Sequence, residues 1–339
     1  MIFLLFINHI YKYNYFLVEK NQIYLQIKII SLPLHCTTTL IQYKANDKQK
    51  NISLNYIIYM IKLNNLSAGY SKRHPVLQKL QTTFAQGNIY GLLGANGSGK
   101  TTLLKTICGV LFPLDGEISV MGYTPQKRES EFLKEIFYIP DEFSLPTLTV
   151  EKYVDTYAQF RPNFSRQKFE SALKAMNFTF GEHLHRLSLG NRKKFLISFA
   201  LACNSPLVIM DEPTNGLDIE AKRSFRSLLA AEDLTDRLIL ISSHAVTDLE
   251  HILSAVAIIH DGAVVINSTI DAIAANIAFT SSANCNDALY TDGLRAIVKA
   301  EAEWSDVDLE MLYMAIHKSK DFRQYVIENF SGKESVCNR

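Results

Sequence analysis

From Ile61 the chain alternates apolar and polar positions, Ile61-Lys62-Leu63-Asn64-Asn65-Leu66-Ser67, the period-2 pattern of a half-buried strand. Two short strands follow around Val76–Leu80 and Thr82–Phe84, punctuated by Pro75 and Gly87. The run Ile89-Tyr90-Gly91-Leu92-Leu93 is apolar and ends on glycines; Leu103-Leu104-Lys105-Thr106-Ile107 then reads as a helix that Gly109 and Pro113 end. Gly116 to Met121 gives another strand. Beyond Pro140 the period changes. Val150, Tyr153, Val154 and Tyr157 fall at i, i+3, i+4 and i+7, and Phe169 to Phe178 continues in kind. A further helix begins near Ser188-Leu189-Gly190 and runs through Phe195–Ala202. Pro206 to Met210 and Leu238 to Ile241 are continuous apolar runs, as parallel strands buried on both faces require. Ala255–His260 and Ala263–Ile266 flank Asp261-Gly262, a hairpin signal. This order predicts an α/β core, antiparallel strands before it and a helical insertion at about 145–190 within it. In the tail, Thr280 to Asp287 reads as a loop and Ser305 with Asp308 as a capping box. Leu309, Leu312, Tyr313 and Ile316 form one apolar helix face, and the last dozen residues read as frayed. Residues 269–339 are therefore expected to be a C-terminal helical tail.

Composition changes the picture at the N-terminus. Residues 1–59 contain no Gly, no Arg and a single Ala, while Ile, Tyr, Asn and Lys make up half of them. Patches such as Ile23–Ile29 alternate, but no turn chemistry is read that would link them into a sheet. AT-rich codons specify those residues. The expectation is an extension translated from too early a start, not native or disordered, with the true start at Met60. The whole chain has 339 residues, 20% charged, and a net charge of +1. That gives no long-range field to draw nucleic acid or acidic lipid. Five cysteines without metal spacing read as free thiols in a reducing compartment. No stretch of about 18 uninterrupted apolar residues would span a bilayer.

The chemistry concentrates in two places. Gly94-Ala95-Asn96-Gly97-Ser98-Gly99-Lys100-Thr101-Thr102 joins a strand to a helix. Its glycines let successive N–H groups converge on one anion, and the opening helix adds unpaired donors and a positive dipole end. This is a phosphate-binding loop: Lys100 would reach the β- and γ-phosphates of a nucleotide, and Thr101 would sit on Mg²⁺. The second place is Asp211-Glu212, delivered by the strand Leu207-Val208-Ile209-Met210 to the edge where α/β sheets bind ligands. Asp211 would hold Mg²⁺, and Glu212 would deprotonate an attacking water.

Around these two, the sequence resembles ABC ATPases over about residues 60 to 268. Asp211-Glu212-Pro213-Thr214-Asn215-Gly216-Leu217-Asp218 is similar to the family's Walker B motif and D-loop. Leu187-Ser188-Leu189-Gly190-Asn191 resembles its signature motif, His244 its switch histidine, and Tyr70 its adenine-stacking aromatic ring. The resemblance implies a P-loop NTPase core with an antiparallel β subdomain and an inserted α-helical subdomain. It implies ATP held between two copies head to tail, with Ser188 and Gly190 meeting the γ-phosphate on the other copy's loop and His244 helping to position the water. It also implies a second ATPase subunit forming a homodimer, a separate multi-span membrane permease, and a place on the cytoplasmic face of the membrane. The C-terminal helix near Asp308–Leu312 resembles that of exporter-type members. The competing class is a soluble ABC ATPase acting on ribosomes or DNA; no nucleic-acid partner is expected. Two positions depart from the family pattern. Asp141 stands where Gln is usual, and is a candidate Mg²⁺ ligand; the signature reads Ser-Leu-Gly-Asn rather than Ser-Gly-Gly-Gln.

Overall fold

A computed structural model describes residues 59–180, 183–281, 287–300 and 306–330, together with the backbone of four strands between residues 16 and 55. It divides into two units, Met1–Ile58 and Tyr59–Arg339.

In the first unit β1 (Phe16–Val18), β2 (Leu25–Ile29), β3 (Thr38–Ala45) and β4 (Lys48–Asn55) pair antiparallel in chain order. The sheet corrects the expectation of unlinked patches.

The second unit opens with β5 (Tyr59–Ala68), which pairs antiparallel with β6 (Leu77–Ala85) and with β8 (Asp115–Val120). The two short strands expected before Gly87 are thus one. The larger sheet has six strands, ordered β13 (Ala263–Thr269), β12 (Ala255–His260), β7 (Asn88–Gly94), β11 (Leu238–Ser243), β10 (Leu207–Asp211) and β9 (Ile136–Ile139). All run parallel except β13. The β12–β13 turn puts both Asp261 (φ 48°) and Gly262 (φ 74°) in the left-handed region, the geometry that Asp-Gly favours.

The continuous apolar runs have a concrete reason. Leu207 and Ile209 face one core with Leu238, Leu240, Tyr90 and Leu92; Val208 and Met210 face the other with Ile239 and Ile241. Each burial contributes about 1.5–3 kcal/mol. The first core also holds Leu103, Leu104 and Ile107 of α1 (Lys100–Ile107) with the inward residues of the antiparallel sheet. The helix after the phosphate loop is therefore clamped between two sheets. α2 (Ser130–Glu135) precedes β9.

The second core carries the helical insertion, α3 (Val150–Tyr157) and α4 (Arg166–Ala175), which leads into α5 (Leu189–Ala202). Thr149 and Ser165 cap the first two by accepting the N–H of Lys152 and Lys168. Tyr153, Phe164, Phe169, Phe195 and Phe199 interlock between them, with Phe195 edge-on to Tyr153 at 5.0 Å. α6 (Ile219–Ala230) follows, capped by Asp218.

The region after β13 is not only helical. After α7 (Ile270–Ala274), β14 (Ile277–Ser281), β15 (Tyr290–Thr291) and β16 (Arg295–Lys299) form a small antiparallel sheet; β14 takes in Thr280 and Ser281 of the loop expected over Thr280 to Asp287, of which 282–286 lie outside the described residues. α8 (Leu309–Lys318) is capped by Asp308 itself, whose side chain accepts from the Met311 N–H at 2.8 Å; Ser305 lies outside the described residues. α9 (Lys320–Phe330) then packs Phe322 and Val326 into the main core. Of the last dozen residues, expected to fray, 328–330 complete α9 with Phe330 buried, and 331–339 lie outside the described residues.

Candidate functional site

Three adjacent parallel strands end at one edge, and their last residues build the site. In register, Ser242 of β11 stands beside both Leu92 of β7 and Asp211 of β10. The loop after β7, the carboxylates after β10 and His244 after β11 therefore emerge side by side. Sheet order alone brings together residues more than a hundred positions apart.

The loop's shape depends on glycine at two points. Gly99 has φ 107°, and a Cβ there would lie 2.5 Å from Leu77 Cδ2; Gly97 has φ 79° beside open space. Gly94 closes the strand where a Cβ would meet Ser98 Oγ and the Ile259 carbonyl. Ala95, Asn96 and Gly97 are exposed at the loop's rim, Thr101 is exposed at the start of α1, and Thr102 is buried beneath it. The Ser98 hydroxyl is buried with no hydrogen-bond partner among the described residues.

Lys100 is buried and folds back over the loop, donating to the Gly94 carbonyl at 2.8 Å and the Ala95 carbonyl at 3.3 Å. Its ammonium is 3.7 Å from Glu212 Oε1. Burial lowers the Lys100 pKa below the ordinary lysine value, and Glu212 and Asp211 oppose that shift.

Glu212 is the most constrained residue of the group. Its backbone is left-handed at φ 46°, a region a glutamate rarely adopts. Its N–H donates to Ser242 Oγ at 3.0 Å, and its carbonyl accepts from Lys193 Nζ at 2.8 Å and from the Asn215 N–H at 3.2 Å. The other carboxylate oxygen lies 2.8 Å from His244 Nδ1. Glu212 and His244, assigned separate duties from sequence, thus share a hydrogen bond.

Asp211 accepts from the Ser242 hydroxyl through Oδ1 at 2.5 Å, while its buried Oδ2 has no hydrogen-bond partner among the described residues. An orphaned carboxylate oxygen at the end of β10 fits a hard cation such as Mg²⁺. Among the described residues no three His, Cys, Asp or Glu cluster to hold a metal by themselves. An ion here would draw its other ligands from phosphate and water, which is how Mg²⁺ commonly binds.

The remaining expected residues are placed as follows. Tyr70 is two-thirds exposed, with its hydroxyl 3.4 Å from Lys105 Nζ. Ser188 caps α5, accepting the Asn191 N–H, and its hydrogen bonds among the described residues stay within that helix. Gly190 lies against the loop after β10: a Cβ on it would be 2.7 Å from the Gly216 carbonyl. Asp141 follows β9 and accepts from Lys193 Nζ at 3.0 Å. Lys193 and Ser242, both buried, escaped the sequence reading. The available signal for Lys193 was its place four residues before Ile197 on the inward face of α5. A cavity of about 370 Å³ borders the loop's rim, walled opposite by His260, Asp261 and His317. Among the described residues no helix is long and apolar enough to cross a membrane.

Comparison with known proteins gives concordant findings. The ABC transporter family model matches residues 77–215. The putative ABC transporter ATP-binding protein AlbC of Bacillus subtilis (strain 168) is 30% identical over 211 residues, which are 60% of this chain and 88% of AlbC. The bacitracin transport ATP-binding protein BcrA of Enterococcus faecalis is 32% identical over 216 residues, 60% of this chain and 67% of BcrA. A solved structure described as the ATP binding subunit of an ABC transporter superposes with a TM-score of 0.56 at 28% identity, covering 63% of this chain and 91% of that one.

Proposed function

This chain belongs to the ABC transporter ATP-binding protein family, and on that premise we propose that it powers an exporter, pairing with a second copy on a separate multi-span membrane subunit at the cytoplasmic face. It is an ATP-binding subunit with ATPase activity. The observation that carries the catalytic reading is the convergence of Lys100, Asp211, Glu212 and His244 at one sheet edge. In this reading Lys100 holds the β- and γ-phosphates, the rim N–H groups cradle them, and Tyr70 offers its open ring face to adenine. Glu212 takes the proton of the attacking water, and His244 Nδ1 holds the Glu212 carboxylate in place. The residues fitted to hold Mg²⁺ are Thr101 and Asp211. When bound, the ion would neutralise charge developing on the phosphates. Ser188 and Gly190 face the second copy's loop. Support for a transport role comes from likeness to the bacitracin transport protein, and for export from the resemblance of the C-terminal helix at Asp308–Leu312 to that of exporter-type members.

Glu212→Gln tests the reading, because an amide cannot take the proton. ATP affinity should stay within about threefold while turnover falls by about a hundredfold or more, and the variant should accumulate as a dimer with ATP. Turnover near the native rate would remove Glu212 from the role of base. Affinity purification from membranes tests the partner: a multi-span protein should come along, whereas ribosomes or DNA would favour the soluble alternative.

A further inference from the structure

Lys193 is an anomaly by elementary energetics. Its side chain is 1% exposed in a helix whose neighbouring positions 192 and 194 are also basic. A buried ammonium is costly unless it is paired and hydrogen-bonded. Here its partners come from two other segments. Asp141 Oδ1, after β9, accepts at 3.0 Å, and the Glu212 carbonyl, after β10, accepts at 2.8 Å. The second acceptor is informative because Glu212 is the residue with left-handed backbone. Strain of this kind persists only where the surroundings over-determine it. Ser242 holds the amide on one side of that residue; on the other, Lys193 holds the carbonyl at 2.8 Å, more closely than the Asn215 N–H does at 3.2 Å. From a backbone so held, the side chain reaches Lys100 with one carboxylate oxygen and His244 with the other.

We infer that Lys193 is a positioning residue for ATP hydrolysis: its ammonium pins the Glu212 carbonyl and so aims the Glu212 carboxylate, while Asp141 serves as the counter-ion of Lys193 rather than as a metal ligand. The inference rests on the proposed role of Glu212 as base. Asp141 is 43% exposed and Lys193 almost wholly enclosed, so the pair is a carboxylate at the surface holding a cation inside. The acid that departs from the family's usual Gln therefore has a partner in this chain. That Asp-Lys pair joins the segment after β9 to α5, the helix that begins at Ser188.

The test compares Lys193→Met, Lys193→Gln and Asp141→Asn in the full chain, with Glu212→Gln as the reference. ATP affinity is read by equilibrium binding, turnover by steady-state ATPase, and folding by thermal denaturation. Lys193→Met keeps the stem and removes every donor, so kcat should fall by about tenfold to a hundredfold with KM within about threefold. Lys193→Gln keeps one donor for the Glu212 carbonyl and should recover part of that loss, which a merely structural role would not produce. If Lys193→Met does not fold, Lys193→Gln carries the comparison, with a several-fold fall in kcat expected. Asp141→Asn should leave the Mg²⁺ dependence of ATP affinity as in the native chain. A kcat within about twofold of native in every folded Lys193 variant, with Glu212→Gln inactive, overturns the positioning role and leaves the base intact. Native-like turnover in Glu212→Gln would instead fail the reading beneath it. An altered Mg²⁺ dependence in Asp141→Asn would return that carboxylate to the metal.

Discussion

At the scale of single residues, the phosphate loop permits a sharp contrast between two glycines. Gly99 and Gly97 both have positive φ, but only at Gly99 would a Cβ meet other atoms, Leu77 Cδ2 at 2.5 Å and Val76 Cγ1 at 3.1 Å. Gly97→Ala should therefore cost backbone strain of about 1–2 kcal/mol, whereas Gly99→Ala adds a clash in the first core and should cost more, with ATP affinity down more than about tenfold. Urea denaturation and ATP titration of both variants check the order; equal costs would mean that Leu77 yields freely. These glycines were legible in the sequence because the loop's chemistry is local: nine consecutive residues contain the turn, the donors and the cation. Lys193 was not legible in that way. Its counter-ion lies 52 positions away and its carbonyl acceptor 19, and both meet it only through the sheet order. From the sequence, Arg192-Lys193-Lys194 is a basic run of the kind that usually faces water.

At the scale of elements, apolar periodicity identified the strands and helices whose packing faces are simple. β10 and β11 are buried on both faces, and α3 shows one clean stripe. Phe195 of α5 packs against Tyr153, Phe169, Phe178 and Phe199, so Phe195→Ala should destabilise by about 3–5 kcal/mol in urea denaturation. A loss below about 1 kcal/mol would mean that the aromatic cluster collapses into the gap. The tail was read less well. α9 spaces Phe322, Val326 and Phe330 four apart, a helical signal hidden by charged neighbours. β14 to β16 are short, and the Asp292–Arg295 turn between β15 and β16 is held by polar bonds that apolar patterning does not register. Asp292 accepts the N–H groups of Arg295 and Leu294, and these pull its pKa down to about 2. A folded pKa below the ordinary carboxylate value means stability present above about pH 4 and lost as the pH falls towards the shifted value. The difference in melting temperature between the native chain and Asp292→Asn should accordingly be constant above about pH 4 and vanish near the shifted pKa. A difference that persists there would exclude this titration.

At the scale of the whole molecule, the division at Ile58 separates the N-terminal strands from the unit that contains every candidate site residue. Met60 is already buried in the second unit's core, in β5. A chain starting at Met60 should therefore melt at the same temperature as the second unit of the full chain and hydrolyse ATP within about twofold of it. Insolubility of the shorter chain, or loss of ATP binding, would make residues 1–59 part of the working fold. The architecture of the second unit was readable from the order of its runs, but the closeness of two of its loops was not. A Cβ at Gly190 would lie 2.7 Å from the Gly216 carbonyl, so nothing larger than hydrogen separates the start of α5 from the loop after Asp211. Such a contact leaves no slack. A shift of α5 towards Gly216 would therefore have to push that segment ahead of it. In the proposed pair, a side chain at position 190 would hold the signature helix and the loop after Asp211 apart, and a Gly190→Ala variant would lose ATPase activity first through that spacing.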